Sequence, residues 1–442
     1  MPIDSTESMT AAECSESADS CSPLQRYCRK AVLARFSGLE SGRLVIRDGD
    51  GEWVLEGSGG IQARVDVHSG VFWRMLATGG SVGAGEAYVA GLWDSPDLVA
   101  VIRLLAANRS MLERMEQGGA RLYGWILRGL HRMARNTVPG SRRNISAHYD
   151  LGNDFFGAWL DDHMQYSSAL YLSPEDSLEQ AQHNKLARIA QRLALQPDDH
   201  LLEIGTGWGG LAVYMAERTG CRVTTTTIST EQYRHACERV RQAGLEDRVE
   251  VLMKDYRELE GTYDKVVSIE MIEAVGADFL DDYLAVIRDR LAPDGLALIQ
   301  AITIEDFRYS NALKSVDFIK RYIFPGSFIP STSAIVGAMG RATDLGLIEL
   351  FDFGESYART LRHWRERFES SWDKLVGKGF DETFRRRWRF YLAYCEGGFL
   401  ERAISDVHLL MAAPGYRKVE ACEPDFHTPG FVGRAVHGGS SL

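Results

Sequence analysis

Cysteine is scarce: seven residues, at 14, 21, 28, 221, 237, 395 and 422, are spread over 442 positions without a C-x-x-C pair. That argues against a disulfide framework and a dithiol redox centre, and reduced thiols are expected. No His/Cys/Asp cluster has metal-ligand spacing, so no metal is expected. A basic surplus is missing as well. The 50 Lys and Arg stand against 61 Asp and Glu, a formal net charge of -11, whereas a general nucleic-acid binder needs a dense cationic footprint. No window approaches the roughly 18 apolar residues that span a bilayer. The N-terminal text, MPIDSTESMTAAECSESADSC, lacks the basic start and apolar run of a secretion signal. It reads as a tail without a fold, and the expected location is the cytoplasm.

What is present divides into blocks. After a tail at 1–23, residues 24–112 mix strand-like pieces (RLVIRDGDGEWVLEG, IQARVDVHS) with helix-like ones (VFWRMLATGG, DLVAVIRLLAANRSML), which suggests a small N-terminal α+β domain. The stretch 113–143 is a linker. Within it Arg121, Arg128, Arg132, Arg135, Arg142 and Arg143 meet no acidic residue, while Leu122, Trp125, Ile126, Leu130 and Met133 fall near helical spacing. Two readings stand: a helix lying in a membrane interface, or a linker helix packed against the protein. From 144 to 430 helical and strand patterns alternate as in a parallel, doubly wound sheet. Strands are expected at 200–205, 222–228, 249–254, 263–270, 295–304 and 347–353, closed by DVHLLMAAP. Residues 431–442 read as a second tail.

LLEIGTGWGGLAVYMA, residues 201–216, joins the first strand of this block to a helix through Gly205, Gly207, Gly209 and Gly210. Such a turn brings backbone and helix N–H groups against a pyrophosphate or a carboxylate alike, so the glycines alone do not choose a cofactor. A dinucleotide site needs an acid ~20 residues past the first glycine to hold the ribose. Here that region reads RVTTTTIST. Glu203 stands where a carboxylate can face an ammonium or sulfonium group, and Asp255 and Tyr256 offer an acceptor and a ring for adenine. The pattern favours S-adenosylmethionine.

Further motifs, in order, are HYDLGNDFF, MQYSSALY, TTISTEQ, KDYREL, SIEMIEAVG, KRYIFPG, YARTLRHWRERF and YCEGGF. Together they resemble the cyclopropane-fatty-acyl-phospholipid synthase family, and GGSVGAGEAYVAGLWD resembles the small N-terminal domain of its phospholipid-acting members. The resemblance implies a Rossmann-like seven-stranded methyltransferase sheet. It also implies methyl transfer to a cis double bond in a membrane phospholipid, with peripheral membrane contact, and loss of a proton to bound bicarbonate as a cyclopropane closes. It assigns Tyr166, Ser167, Glu203, Gly205, Gly207, Gly209, Thr227, Ile228, Ser229, Gln232, Tyr256 and Arg257 to the cofactor, and Glu273, Tyr357 and Cys395 to the bicarbonate. A homodimer is an open alternative to a monomer.

Two positions depart from the family pattern: Gln300 replaces a His common on the fifth strand, in LIQAITI, and Ser168 replaces a common Cys. An amide still hydrogen-bonds an anion but carries no proton at neutral pH. A cation left by the alkene could then shift a hydride and yield a methyl-branched or methylene-branched chain. A small-molecule methyltransferase and a non-enzymatic lipid binder are the other readings. Glu270 is expected to be a structural acid, and of Tyr166, Tyr171, Phe318, Tyr322, Phe324, Tyr357 and Phe399 two or three are expected to face the substrate.

Overall fold

The computed structural model describes residues 21–111 and 151–417. The basic stretch 121–143, nearly all of the first tail and the whole of the second lie outside the described residues.

In the N-terminal part, helix α1 (Pro23–Phe36) starts on a capping box in which Ser22 accepts from the Gln25 N–H, satisfying a donor that the first helical turn leaves free. Strands β1 (Ser41–Asp48), β2 (Gly51–Glu56), β3 (Ser58–Val67) and β4 (Trp93–Asp94) form a sheet in the order β2-β1-β3-β4. Between β3 and β4 runs α2 (Val71–Val89), broken at Gly80, whose φ of 55° and ψ of -137° are not helical. Helix α3 (Leu98–Ala107) follows, capped by Asp97.

Beyond residue 151 the elements are α4 (Leu178–Leu193), β5 (His200–Ile204), α5 (Gly210–Thr219), β6 (Arg222–Thr227), α6 (Thr230–Gln242), β7 (Val249–Met253), β8 (Tyr263–Ile269), α7 (Leu280–Arg290), β9 (Leu291–Ile304), α8 (Thr332–Ala342), β10 (Gly346–Asp352), α9 (Gly354–Ser370), α10 (Glu382–Leu400) and β11 (Ile404–Ala412). The seven strands lie in the order β10-β11-β9-β8-β5-β6-β7. β5, β6, β7, β8 and β9 pair in parallel, while β11 runs against both β9 and β10. This is the seven-stranded α/β sheet that the strand spacing and the resemblance led us to expect. The chain leaves β5 towards β6 and β7, then returns to β8 on the other side of β5, so the strand order reverses between β5 and β8. Open α/β sheets bind ligands at such a reversal, outside the carboxyl ends of the strands.

The N-terminal part and helices α9 and α10 share one core, in which Trp73, Tyr88, Trp93 and Leu104 pack with Trp364, Trp388, Phe390 and Phe399. Arg386 of α10 reaches across: it donates to the carbonyls of Tyr88 and Trp93, pairs with Asp94 at 3.0 Å and lies 4.2 Å from the Tyr88 ring centroid.

Candidate active site

The glycine-rich turn leaves the carboxyl end of β5. Gly205, Gly207 and Gly209 all have positive φ, 101°, 52° and 84°, a region that residues with a Cβ rarely enter. The N–H groups of Gly205 and Thr206 donate to the Thr226 carbonyl of β6, tying the turn to the neighbouring strand. A Cβ on Gly209 would touch Ala236 of α6 at 3.1 Å, and one on Gly210 would collide with Gln165 and His163. At Gly207 a Cβ would meet nothing within 4 Å, and α5 follows Gly209 at its cap position without a side-chain cap. Space and free helix N–H groups are what an adenosyl amino acid requires there.

Glu203 lies under this turn, 2% exposed, and accepts from the Thr225 hydroxyl at 2.6 Å; Thr225 in turn contacts the Thr206 hydroxyl at 2.7 Å. Burial pushes its carboxyl up to about 8. At the end of β6 the Thr227 hydroxyl donates to Gln232 Oε1 at 2.9 Å, and Ser229 caps α6 by accepting from the Gln232 N–H. Ile228 sits between them, half-buried. Asp255, after β7, is occupied differently from the expected adenine acceptor. Both its oxygens accept from the Arg257 guanidinium at 2.8 Å, so the acid acts first as a brace for Arg257. The Tyr256 ring packs edge-on against Tyr283 and beneath Arg257.

On the other side of β5, the segment 166–171 is pinned to α9 and to β8. The N–H of Ala169 donates to the Thr360 hydroxyl, that of Tyr171 to the Ser356 hydroxyl, and that of Ser168 to Glu270 Oε1 at 2.7 Å. The same Oε1 accepts from Gln300 Nε2 at 2.7 Å, and Oε2 accepts from the Tyr357 hydroxyl at 2.7 Å. Glu270 is therefore the hub of the cluster, with a φ of 47°. Gln300 Nε2 also donates to Asp406 Oδ2 at 2.8 Å, and Gln300 Oε1 lies 3.1 Å from His408 Nε2. Lys185, wholly buried on α4, donates to the Ser167 hydroxyl at 2.6 Å. Glu273 Oε1 accepts from the Ile302 N–H at 2.6 Å, whereas its Oε2 is buried without a partner.

Three acids close together raise one another's affinity for protons. Burial and then Glu270 push Glu273 up to about 8; Asp406 rises well above its usual range through burial, Glu270 and Glu273. Lys185 is lowered to about 8 by burial, although Glu270, Asp161 and Asp406 oppose the change. Sequence reasoning missed Lys185, Asp406 and His408 and undervalued Glu270. The one available signal was the polar pair in DVHLLM, two residues apart on a strand with neighbours on both sides.

Tyr166, Phe324, Tyr357 and Phe399 belong to one aromatic cluster joined through Trp364 and Tyr391, with Tyr357 and Phe399 stacked at 4.5 Å. Tyr171 instead stacks on His363 and Arg359, and Phe318 and Tyr322 pack toward Phe390 and Glu86. Cys395 on α10 is partly buried; burial and Asp317 push its thiol up, and among the described residues no hydrogen bond ties it to Glu270 or Glu273. Of the three residues expected at the bicarbonate, Tyr357 already donates to Glu270, as do the Ser168 N–H and Gln300 Nε2 at the two positions that depart from the family pattern, so these donors do not fit a separate anion as they stand.

Comparison with known proteins agrees with this fold. Residues 138–409 match the model of the family described as mycolic acid cyclopropane synthetase. The chain is 40% identical to the tuberculostearic acid methyltransferase UfaA1 of Mycobacterium tuberculosis, over 74% of this chain and 77% of that protein. It is 36% identical to the cyclopropane-fatty-acyl-phospholipid synthase of Escherichia coli, over 78% and 87%. Among solved structures, the mycolic acid cyclopropane synthase CmaA1 complexed with SAH and CTAB superposes with a TM-score of 0.57 at 26% identity, covering 61% of this chain and 98% of that one. The chain belongs to the cyclopropane synthetase family of S-adenosylmethionine-dependent methyltransferases.

Proposed function

We propose that the protein alkylates the cis double bond of an unsaturated acyl chain in a membrane phospholipid and closes a cyclopropane ring. The observation that carries this reading is the bond between the half-buried Glu270 carboxylate and Tyr357 of the Tyr166–Phe324–Tyr357–Phe399 cluster, beside the glycine-rich turn. S-adenosylmethionine, when bound, supplies an electrophilic methyl group. Gly205, Gly207 and Gly209 would receive its amino-acid portion, Thr227 and Gln232 its ribose, and Tyr256 with Arg257 its adenine.

An alkene is a weak nucleophile, and its alkylation leaves a carbocation. Aromatic faces and carboxylates stabilise that charge, and exclusion of water keeps it from being captured. Among the described residues no helix is long and apolar enough to cross a membrane; the proposal is peripheral contact with the bilayer, reached from one side.

A second reading is a methyl-branched or methylene-branched product after a hydride shift. It is favoured by Gln300 in place of a histidine and by the 40% identity to a protein named as a tuberculostearic acid methyltransferase. The test is to supply purified protein with S-adenosylmethionine and vesicles of an oleoyl phospholipid, then analyse the fatty acids by mass spectrometry before and after mild hydrogenation. A chain heavier by one methylene that resists hydrogenation supports ring closure. One that takes up hydrogen supports the branched olefin. Unchanged chains refute both.

A further inference from the structure

We infer that Glu270 itself takes the proton from the alkylated chain, standing where a bound bicarbonate was expected. The inference rests on the proposed lipid alkylation and names its base.

Bicarbonate and a glutamate side chain present the same planar carboxylate, and Glu270 is held by the hydroxyl of Tyr357, expected at the bicarbonate, and by the Ser168 N–H and Gln300 Nε2 at the two positions that depart from the family pattern. Three donors leave room on Oε2 for one more proton, since a carboxylate has about four lone-pair sites. The residue is only half-buried, so a substrate can approach it.

The backbone supplies an independent argument. Glu270 follows β8 in the left-handed region, which costs a residue with a Cβ on the order of 1 kcal/mol or more. Strain of this kind persists where the surroundings hold it and gathers at functional sites. Here it coincides with the turn that directs the carboxylate to Ser168 and Tyr357.

Neighbouring groups assign the charge. Glu273 accepts from the backbone only, the Ile302 N–H foremost, and buries an unpartnered oxygen, a poor setting for an anion. Asp406 shares Gln300 Nε2 with Glu270 and also buries an unpartnered oxygen. Burial raises the Glu270 carboxyl as well, but the Tyr357, Ser168 and Gln300 donors and Lys185 all oppose that rise, so of the three acids it is the one best supplied with partners for its charged form.

The step balances. The alkene π pair forms the new C–C bond as the S–CH3 bond breaks with its electrons going to sulfur. A C–H bond of the transferred carbon then breaks. Its electron pair closes the ring, or forms a C=C bond if a hydride has shifted first, and its proton passes to Glu270 Oε2. The neutral acid releases that proton to solvent before the next turnover.

The test measures lipid product in buffer stripped of carbon dioxide, with and without added bicarbonate. Wild-type turnover is expected to change less than about twofold, while Glu270→Gln loses about 100-fold or more, the range of a positioned base. Glu270→Gly should lose as much and recover in part with added bicarbonate, which can enter the emptied space. S-adenosylhomocysteine should still raise the Tm of the Gln variant, showing that it folds and binds. Wild-type turnover that collapses on removing carbon dioxide, or a Gln variant that retains activity, overturns the inference while lipid alkylation stands. If the Gly variant does not fold, the other two arms decide. A wild-type protein that alkylates no lipid refutes the proposed function instead.

Discussion

The hydroxyl of Tyr357 on α9 donates to Glu270 Oε2 at 2.7 Å, joining a residue assigned to bicarbonate to an acid that had been assigned no chemistry. A hydrogen bond to a charged group contributes about 1.5–3 kcal/mol. Tyr357→Phe keeps the ring stacked on Phe399 and removes only that bond, so turnover should fall roughly 10- to 100-fold. Affinity for S-adenosylhomocysteine should remain near that of the wild type. Isothermal titration alongside product assays checks both, and an equal loss in the two would place Tyr357 at the cofactor instead.

Gly207 and Gly210, three residues apart in the same turn, should respond differently to substitution. Gly207→Val adds strain at positive φ of about 1–2 kcal/mol, but its Cβ meets nothing within 4 Å; the protein should fold, and S-adenosylhomocysteine should no longer raise its Tm. Gly210→Ala puts a Cβ 2.5 Å from both Gln165 Nε2 and the His163 carbonyl, so its main effect should be lost stability. Thermal melts with and without ligand separate the two.

Glu203 predicts a pH dependence of stability. Its carboxyl moves from an ordinary 4.5 to about 8 on folding, so the folded chain retains a proton that the unfolded chain has released. Its contribution is fully present below about 4.5 and is lost as pH rises to about 8. Glu203→Gln keeps an acceptor for Thr225 and removes this loss. The Tm difference between variant and wild type, measured without ligand, should shift in favour of Gln from pH 5 to pH 8. A difference independent of pH contradicts the assignment.

Arg386 tests the docking of the N-terminal part on α10. Arg386→Ala removes donors from two carbonyls and Asp94, together with the contact to the Tyr88 ring, and should destabilise by about 2–4 kcal/mol. Chemical denaturation measures it, and a change below about 0.5 kcal/mol would show that the contacts carry little.

The sheet and the cofactor turn were legible because they are local. The alternation of helical and strand patterns placed β5 through β9 within a few residues, and the glycines announced themselves by spacing. The acid cluster was not legible. Lys185 sits in LEQAQHNKLARIA, which reads as an ordinary amphipathic helix; only packing shows that it is buried. His408 meets Gln300 because β11 runs antiparallel to β9 in one particular register, and no sequence period specifies the register of strands a hundred residues apart. Glu270 was misjudged because Glu273, three residues on, carried the family motif.

The most direct measurement follows acyl chains, not the methyl donor. Purified protein is given S-adenosylmethionine and oleoyl phospholipid vesicles, and the fatty acids are weighed by mass spectrometry. The account predicts chains heavier by one methylene, formed in step with S-adenosylhomocysteine. Donor consumed on a water-soluble acceptor while every acyl mass stays unchanged would contradict it.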